Sequence, residues 1–232
     1  SLTTMFVWTS IYFIMLYNTK LQGEHEMLLR AQTATKDAQL QMLRYQLNPH
    51  FMFNTLNAIS TLIYKNENET ANEMLDKLCE FFRYSLDKSD KSKTSLQKEL
   101  ELIELYLSIE KVRFGDRLKV KVDVCNRVLA CQVPCMLLQP LVENAIKYAI
   151  ELRKSGGTIC ISAKQLNDRL LLQVIDNGQE SHDKVSDGFG IGLSNTKARL
   201  SAMFNGDFEV NITDTAEGGT MVAISIPFEK KG

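Results

Sequence analysis

Histidine is scarce in this chain: its 232 residues include three, His25, His50 and His182. Chemistry that needs an imidazole has few places to reside. A surplus of one charge is also missing. Lys and Arg number 27 against 28 Asp and Glu, a net charge of −1. No global basic signature for nucleic acid exists, and no nucleic-acid partner is expected. The five cysteines (Cys79, Cys125, Cys131, Cys135 and Cys160) are odd in number and form no C-x-x-C pattern. That spacing indicates neither a zinc site nor a disulfide framework, and reads as reduced thiols in the cytosol.

Long apolar runs are confined to the start. Residues 2–17 hold no charge and include Phe6, Val7, Trp8, Ile11, Phe13 and Leu16. A full membrane span takes about 20 apolar residues. The stretch has no basic start and no small-residue cleavage site, which argues against a signal peptide. Trp and Tyr near its ends suit a membrane interface. The expectation is that residues 1–17 are the end of a transmembrane helix. Lys20 and Arg30 then place residues from about 18 onward on the cytoplasmic side. A buried soluble helix is the alternative.

Residues 18–48 are polar and helix-favouring, with Leu21, Leu28, Thr35 and Met42 at seven-residue spacing. They read as a linker or weak coiled-coil helix, assigned to 18–35. Pro49 follows inside the same pattern and predicts a kink just before His50. At 100° per residue, His50 shares an arc with Asn54, Asn57 and Thr61. Met52, Leu56, Ile59 and Ile63 are expected to pack inward from the opposite arc. After a break at residues 66–68, a second helix over 69–87 carries Ala71, Met74, Leu75, Leu78, Phe81 and Phe82 on one side. Two helices with a short polar loop make a hairpin, and two hairpins in a homodimer make a four-helix bundle.

Beyond the charged stretch at 87–95 the pattern becomes α/β. Thr94-Ser95-Leu96-Gln97 predicts a capping box and a helix to about Arg113. Leu118 to Val124 alternates as a half-buried strand. A helix is expected from about Cys135 to Ile150. Strands follow at 158–164 and 169–176, then a helix from about Leu193, then strands at 208–213 and 220–227. This order suggests a mixed sheet covered by helices on one face.

Three segments of this part suit a nucleotide. Glu143, Asn144 and Lys147 offer a carboxylate, an amide oxygen and a cation within one helical turn, which suits Mg²⁺ and phosphate. Asp176-Asn177-Gly178 ends an apolar strand, where a carboxylate can accept from an exocyclic amine and a glycine lets a ring approach. Gly188-Phe189-Gly190-Ile191-Gly192 opens a helix and exposes backbone N–H groups to anions. It lacks the G-K-[ST] ending of a P-loop. Taken singly, an amphipathic helix, a plain turn and a nonspecific glycine run remain open readings.

The order Asn48-Pro49-His50-Phe51-Met52-Phe53-Asn54, Glu143-Asn144-Ala145-Ile146-Lys147, Asp176-x-Gly178, Gly188-x-Gly190-x-Gly192-Leu193 and Gly218-Gly219-Thr220 resembles the sensor histidine kinases of the LytS/AlgZ type. The resemblance covers about residues 36–228. Leu138-Gln139-Pro140-Leu141-Val142 and Arg113-Phe114-Gly115-Asp116-Arg117 also look like this family. It implies a dimerisation and phospho-acceptor hairpin over 36–90. An ATP-binding α/β sandwich of the Bergerat type, shared with gyrase, would follow over 94–229. By position, His50 is the phospho-acceptor and Asn144 the Mg²⁺ ligand, with Glu143 beside it as a catalytic residue and Lys147 near phosphate. Asp176 would bind the adenine amine, with Gly178 against the ring. Gly188, Gly190 and Gly192 would form the lid hinge and phosphate cradle, and Thr220 would support the adenine through its hydroxyl. Asn54 would orient a water for dephosphorylation. The implied activity is ATP-dependent autophosphorylation of His50 and transfer to an aspartate of a response regulator, at a bacterial inner or plasma membrane.

The chain departs from the family pattern at Glu180, where a second glycine is common, and at Tyr148-Ala149, where His-Gly often stands. Phe51 stands where many histidine kinases place an acid. Glu180 keeps a second reading open: a degenerate ATP domain acting as a dimeric scaffold or phosphatase. A non-signalling ATPase needs no histidine hairpin and is disfavoured.

Overall fold

The computed structural model describes residues 15, 22, 49–87, 93–178, 190–216 and 218–229. The chain divides into two units, Ser1–Asn54 and Thr55–Gly232. The expected membrane and linker helices fall outside the described residues, apart from positions 15 and 22, and so does the chain before Pro49 in which the kink is expected. No described helix is long and apolar enough to cross a membrane.

Helix α1 (Pro49–Tyr64) carries the first motif. His50, Asn57 and Thr61 are exposed along one arc, as their spacing predicts, and Asn54 is half-buried there. The buried line is not the expected one. Phe51, Thr55 and Ile59 are buried, whereas Leu56 is 44% and Ile63 55% exposed. Hydrophobic periodicity gave a helix and a polar face. It did not separate the two apolar lines, because Phe51 and Met52 are adjacent and both apolar. A turn at Asn66, with φ +62°, leads into α2 (Asn68–Asp87). Ala71, Met74, Leu78 and Phe81 are buried on one side of it. Leu75, expected with them, is exposed.

Helix α2 packs along α3 (Leu96–Phe114). The Tyr84 hydroxyl donates to the Lys98 carbonyl at 2.7 Å, and the Phe81 and Tyr106 rings lie 5.9 Å apart. Ser95 caps α3 by accepting from Lys98 N, so the cap sits one residue after Thr94. The Gln97 side chain binds Glu101 instead of reaching back. Leu96, Leu100, Ile103 and Leu107 are buried on one flank of α3 and Leu102 and Ile109 on another. A helix enclosed on both flanks belongs to the core, and each such side chain contributes about 1.5–3 kcal/mol.

The main sheet has the order β2-β4-β5-β7-β6, from β2 (Leu118–Val124), β4 (Gly157–Leu166), β5 (Arg169–Asp176), β6 (Glu209–Asp214) and β7 (Thr220–Pro227). Only the β2–β4 pair is parallel. A small separate pair joins β1 (Lys93–Ser95) to β3 (Gln132–Pro134). Register sets one inner face. Ile161 pairs with Val174 and Val174 with Val222, while Ala163 pairs with Leu172 and Leu172 with Ile224. All six are buried. Asp176 continues this face opposite Ile159, which brings a carboxylate to the end of an apolar row. Strand β2 forms as expected but is an edge strand. Its Val120 and Val122 lie beside Ile159 and Ile161 and are exposed.

Candidate functional site

The first segment begins later than its sequence suggests. Residues 135–138 form a turn, with Met136 at φ +56°, and α4 runs from Gln139 to Ala145 with Pro140 in its first turn. Glu99 of α3 holds this start. Its carboxylate accepts from Met136 N and Leu137 N at 2.9 Å each, and from Leu138 N at 3.5 Å. Glu99 is 0% exposed. These three N–H groups belong to the turn that precedes α4, and the distant carboxylate fixes that turn. Gln139 donates to Glu143 Oε1 at 2.8 Å. From Ile146 to Glu151 the helix widens into a π-helix, a form found mostly as single turns at functional sites. Glu143 and Asn144 therefore lie on α4 and Lys147 on the wide turn. Lys147 is exposed, its Nζ 5.1 Å from the Tyr148 ring centre.

The second segment meets the first. Asp176 is 7% exposed, and its Oδ1 accepts from Gly178 N at 2.8 Å and from Thr220 N at 3.4 Å. Neither bond uses Oδ2. Burial raises the Asp176 carboxyl above its usual range, against the pull of these two N–H donors and of Arg153. Gly219, at φ +98°, crosses so closely that a Cβ there would lie 2.1 Å from the Asp176 carbonyl oxygen. Only glycine fits this crossing. A Cβ on Gly178 would lie 3.4 Å from Ala149 Cα, so the loop backs onto the wide turn. Thr220 reaches Asp176 through its backbone N–H.

The third segment opens α5 (Gly190–Phe204), three residues earlier than expected. Gly190 and Gly192 thus lie in a helical first turn, not in a preceding loop. A Cβ on Gly192 would lie 3.5 Å from Pro140 Cβ, so the first turns of α5 and α4 adjoin. Gly188 and Glu180 lie outside the described residues. A helix N-terminus favours an anion, and the first turn of α5 adjoins that of α4.

His50 belongs to the first unit and these three segments to the second. On α1 the Asn54 amide nitrogen is 3.1 Å from His50 Nε2 and 3.3 Å from Nδ1. The amide thus lies against the edge of the imidazole, one helical turn on. Phe51 is buried, which leaves no polar group beside the histidine at that position.

Behind α4, a charged cluster escaped the sequence reading. Glu110 is 2% exposed and pairs with Arg113, which also reaches Glu151. Burial raises the Glu110 carboxyl from an ordinary 4.5 to about 7, opposed by Arg113 and assisted by Glu151 and Glu143. The folded chain then binds this proton more tightly than the unfolded chain. Stability from this group is full below about pH 4.5 and falls as pH rises through 7. Urea unfolding of Glu110→Gln between pH 5 and 8 will show a flatter decline than the parent. Some decline remains, because Asp176 is raised in the same sense. An unchanged slope would remove Glu110 from this role. A polar residue on a buried helical stripe, as at Glu99 and Glu110, was the available signal.

Two family models match the chain: "Histidine kinase" over residues 38–118, and "Histidine kinase-, DNA gyrase B-, and HSP90-like ATPase" over residues 134–230. Sensor protein LytS of Staphylococcus saprophyticus is 37% identical over 204 residues, covering 83% of this chain and 34% of that protein. Sensor histidine kinase YesM of Bacillus subtilis is 34% identical over 199 residues, covering 84% and 34%. Sensor histidine kinase YpdA of Escherichia coli is 35% identical over 201 residues, covering 83% and 35%. The chain spans about a third of the length of these relatives.

Proposed function

The chain belongs to the sensor histidine kinases of the LytS type, and from that membership we propose that it phosphorylates its own His50 from ATP and passes the phosphoryl group to a response regulator. One observation carries the ATP reading. Asp176 is a buried carboxylate whose Oδ1 is engaged by Gly178 and Thr220, while Oδ2 has no hydrogen bond among the described residues. An exocyclic amine meets that need. A Cβ on Gly178 would lie 2.8 Å from Asp176 Oδ1, so the glycine keeps the carboxylate uncrowded for a flat ring.

Asn144 and Glu143 offer oxygen donors of the kind Mg²⁺ takes together with water and phosphate oxygens. When bound, Mg²⁺ neutralises charge on the transferred group. Lys147 adds a mobile cation, and the first-turn N–H groups at Gly190 and Gly192 add fixed donors. A ring nitrogen of neutral His50 attacks the γ-phosphorus. The bond from that phosphorus to the β-bridging oxygen breaks, and ADP leaves. The phosphoryl group then moves to an aspartate carboxylate of the regulator, and His50 returns to its free form. Asn54, in contact with the imidazole, orients it and positions water for the reverse-direction dephosphorylation.

In this reading residues 36–90 form the dimerising hairpin and 94–229 the ATP domain. Residues 1–17 attach the chain to a bacterial inner or plasma membrane, with the rest cytoplasmic. Incubation of the full chain with γ-labelled ATP and Mg²⁺ tests the activity. Acid-labile, alkali-stable label on the protein is the expected result. Steady release of inorganic phosphate with no labelled protein would overturn it.

A further inference from the structure

We infer that Arg113 and Arg117 are positioning residues that hold the wide turn Ile146–Glu151, and through it present Lys147 to the nucleotide's phosphates. The inference rests on the reading of Lys147 given above. A π-helix is rare and holds its shape poorly alone. One side chain adds donors at its end and just beyond it, to Ile150 O, which already accepts from Leu152 N, and to Arg153 O, which already accepts from Gly156 N. Arg117 Nη2 donates to the carbonyl oxygens of Ile150 at 2.9 Å and Arg153 at 2.7 Å. Arg113 Nη2 reaches Glu151 at 2.5 Å, while its Nη1 is 3.1 Å from Glu110 on its own helix. A cation at a helix C-terminus also complements the helix dipole.

The two arginines are themselves fixed. The Phe114 ring is buried beside both, 4.3 Å from the Arg113 guanidinium carbon and 5.6 Å from that of Arg117. Gly156, at φ +72°, lets the following turn press on the Arg117 backbone, where a Cβ would lie 2.1 Å from the carbonyl oxygen. Beyond the wide turn, Arg153 donates to the Asn177 carbonyl, which joins the clamp to the Asp176 loop. The run Arg113-Phe114-Gly115-Asp116-Arg117 is thus one device, two cations against one ring, both bonded to the end of the segment that carries Lys147.

Calorimetric binding of ATP and of adenosine to the full chain separates this role from simple stability. Lys147→Ala is expected to weaken ATP roughly tenfold, the worth of one charge-assisted contact, and to leave adenosine unchanged. Arg117→Met and Arg113→Met are expected to weaken ATP by several-fold with adenosine again unchanged. In the Lys147→Ala background Arg117→Met should add nothing, because the two share one path. Arg117→Lys keeps a cation but on a shorter stem without the planar fork, and should fall between parent and Arg117→Met. It serves if the methionine variant folds poorly. If Lys147→Ala binds ATP as the parent does, the site reading itself fails. If Lys147→Ala weakens ATP while the arginine variants do not, or if they weaken ATP and adenosine alike or add fully to Lys147→Ala, the positioning role is overturned.

Discussion

The His50→Gln protein takes no label from γ-labelled ATP, a loss of at least roughly a thousandfold, yet binds ATP as the parent does. Glutamine keeps helix propensity and a polar side chain on the exposed arc of α1. It has no nitrogen lone pair able to attack phosphorus, so the acceptor is gone while the helix persists. The segments read as the nucleotide site, from Glu143 to Thr220, all lie in the second unit, and none includes His50. Label and affinity should therefore part company. Phosphoimaging after gel separation reads the first, and calorimetry reads the second. Label surviving in His50→Gln would place the acceptor elsewhere, and His25 and His182 would be the next positions to test. The buried Phe51 sharpens the expectation. The residue after the histidine contributes no acid or base, so nothing beside His50 in sequence can substitute for it.

Glu99→Ala loses about 3–5 kcal/mol of folding stability, well beyond an ordinary surface change. The carboxylate satisfies the N–H groups of Met136, Leu137 and Leu138, the last two fully buried. Each buried donor left without a partner costs about 1–3 kcal/mol. Leu96, Leu100 and Ile103 crowd the same helix and are themselves buried. Urea unfolding followed by circular dichroism measures the loss. Glu99→Gln keeps one acceptor oxygen and should lose about half as much. A cost below about 1 kcal/mol for the alanine variant would mean that the turn finds other acceptors. Because these N–H groups belong to the turn that precedes α4, ATP affinity should weaken in Glu99→Gln as well.

Local patterns were legible where local forces decide. The hairpin at Asn167-Asp168 has Asn167 at φ +53°, the conformation asparagine accepts. Strands β5, β6 and β7 fall within a residue or so of their sequence bounds, since each is a short run rich in apolar and β-branched residues. Asp176, Gly178 and Thr220 come together through two backbone N–H groups on one carboxylate oxygen. What stayed hidden depends on partners far along the chain. Val120 and Val122 alternate like any half-buried strand, but their exposure follows from β2 lying at the sheet edge. The late start of α4 answers to Glu99, about 40 residues earlier. The wide turn answers to Arg117, 33 residues before Ile150. No propensity within Ile146–Glu151 announces it.

The sheet order also carries a folding history. β4 and β5 are joined by a two-residue loop, and β6 and β7 by a short one, so each hairpin closes at small entropic cost. The β5–β7 seam is different, since it must bring Ile175 to Met221 across 46 residues. Long closures come late. Asp176 stands on one side of that seam, with Gly219 and Thr220 on the other. The carboxylate's seat does not exist in either hairpin alone. It is completed only when the two halves join, and a nucleotide that occupies it would act as a latch on the last step of assembly.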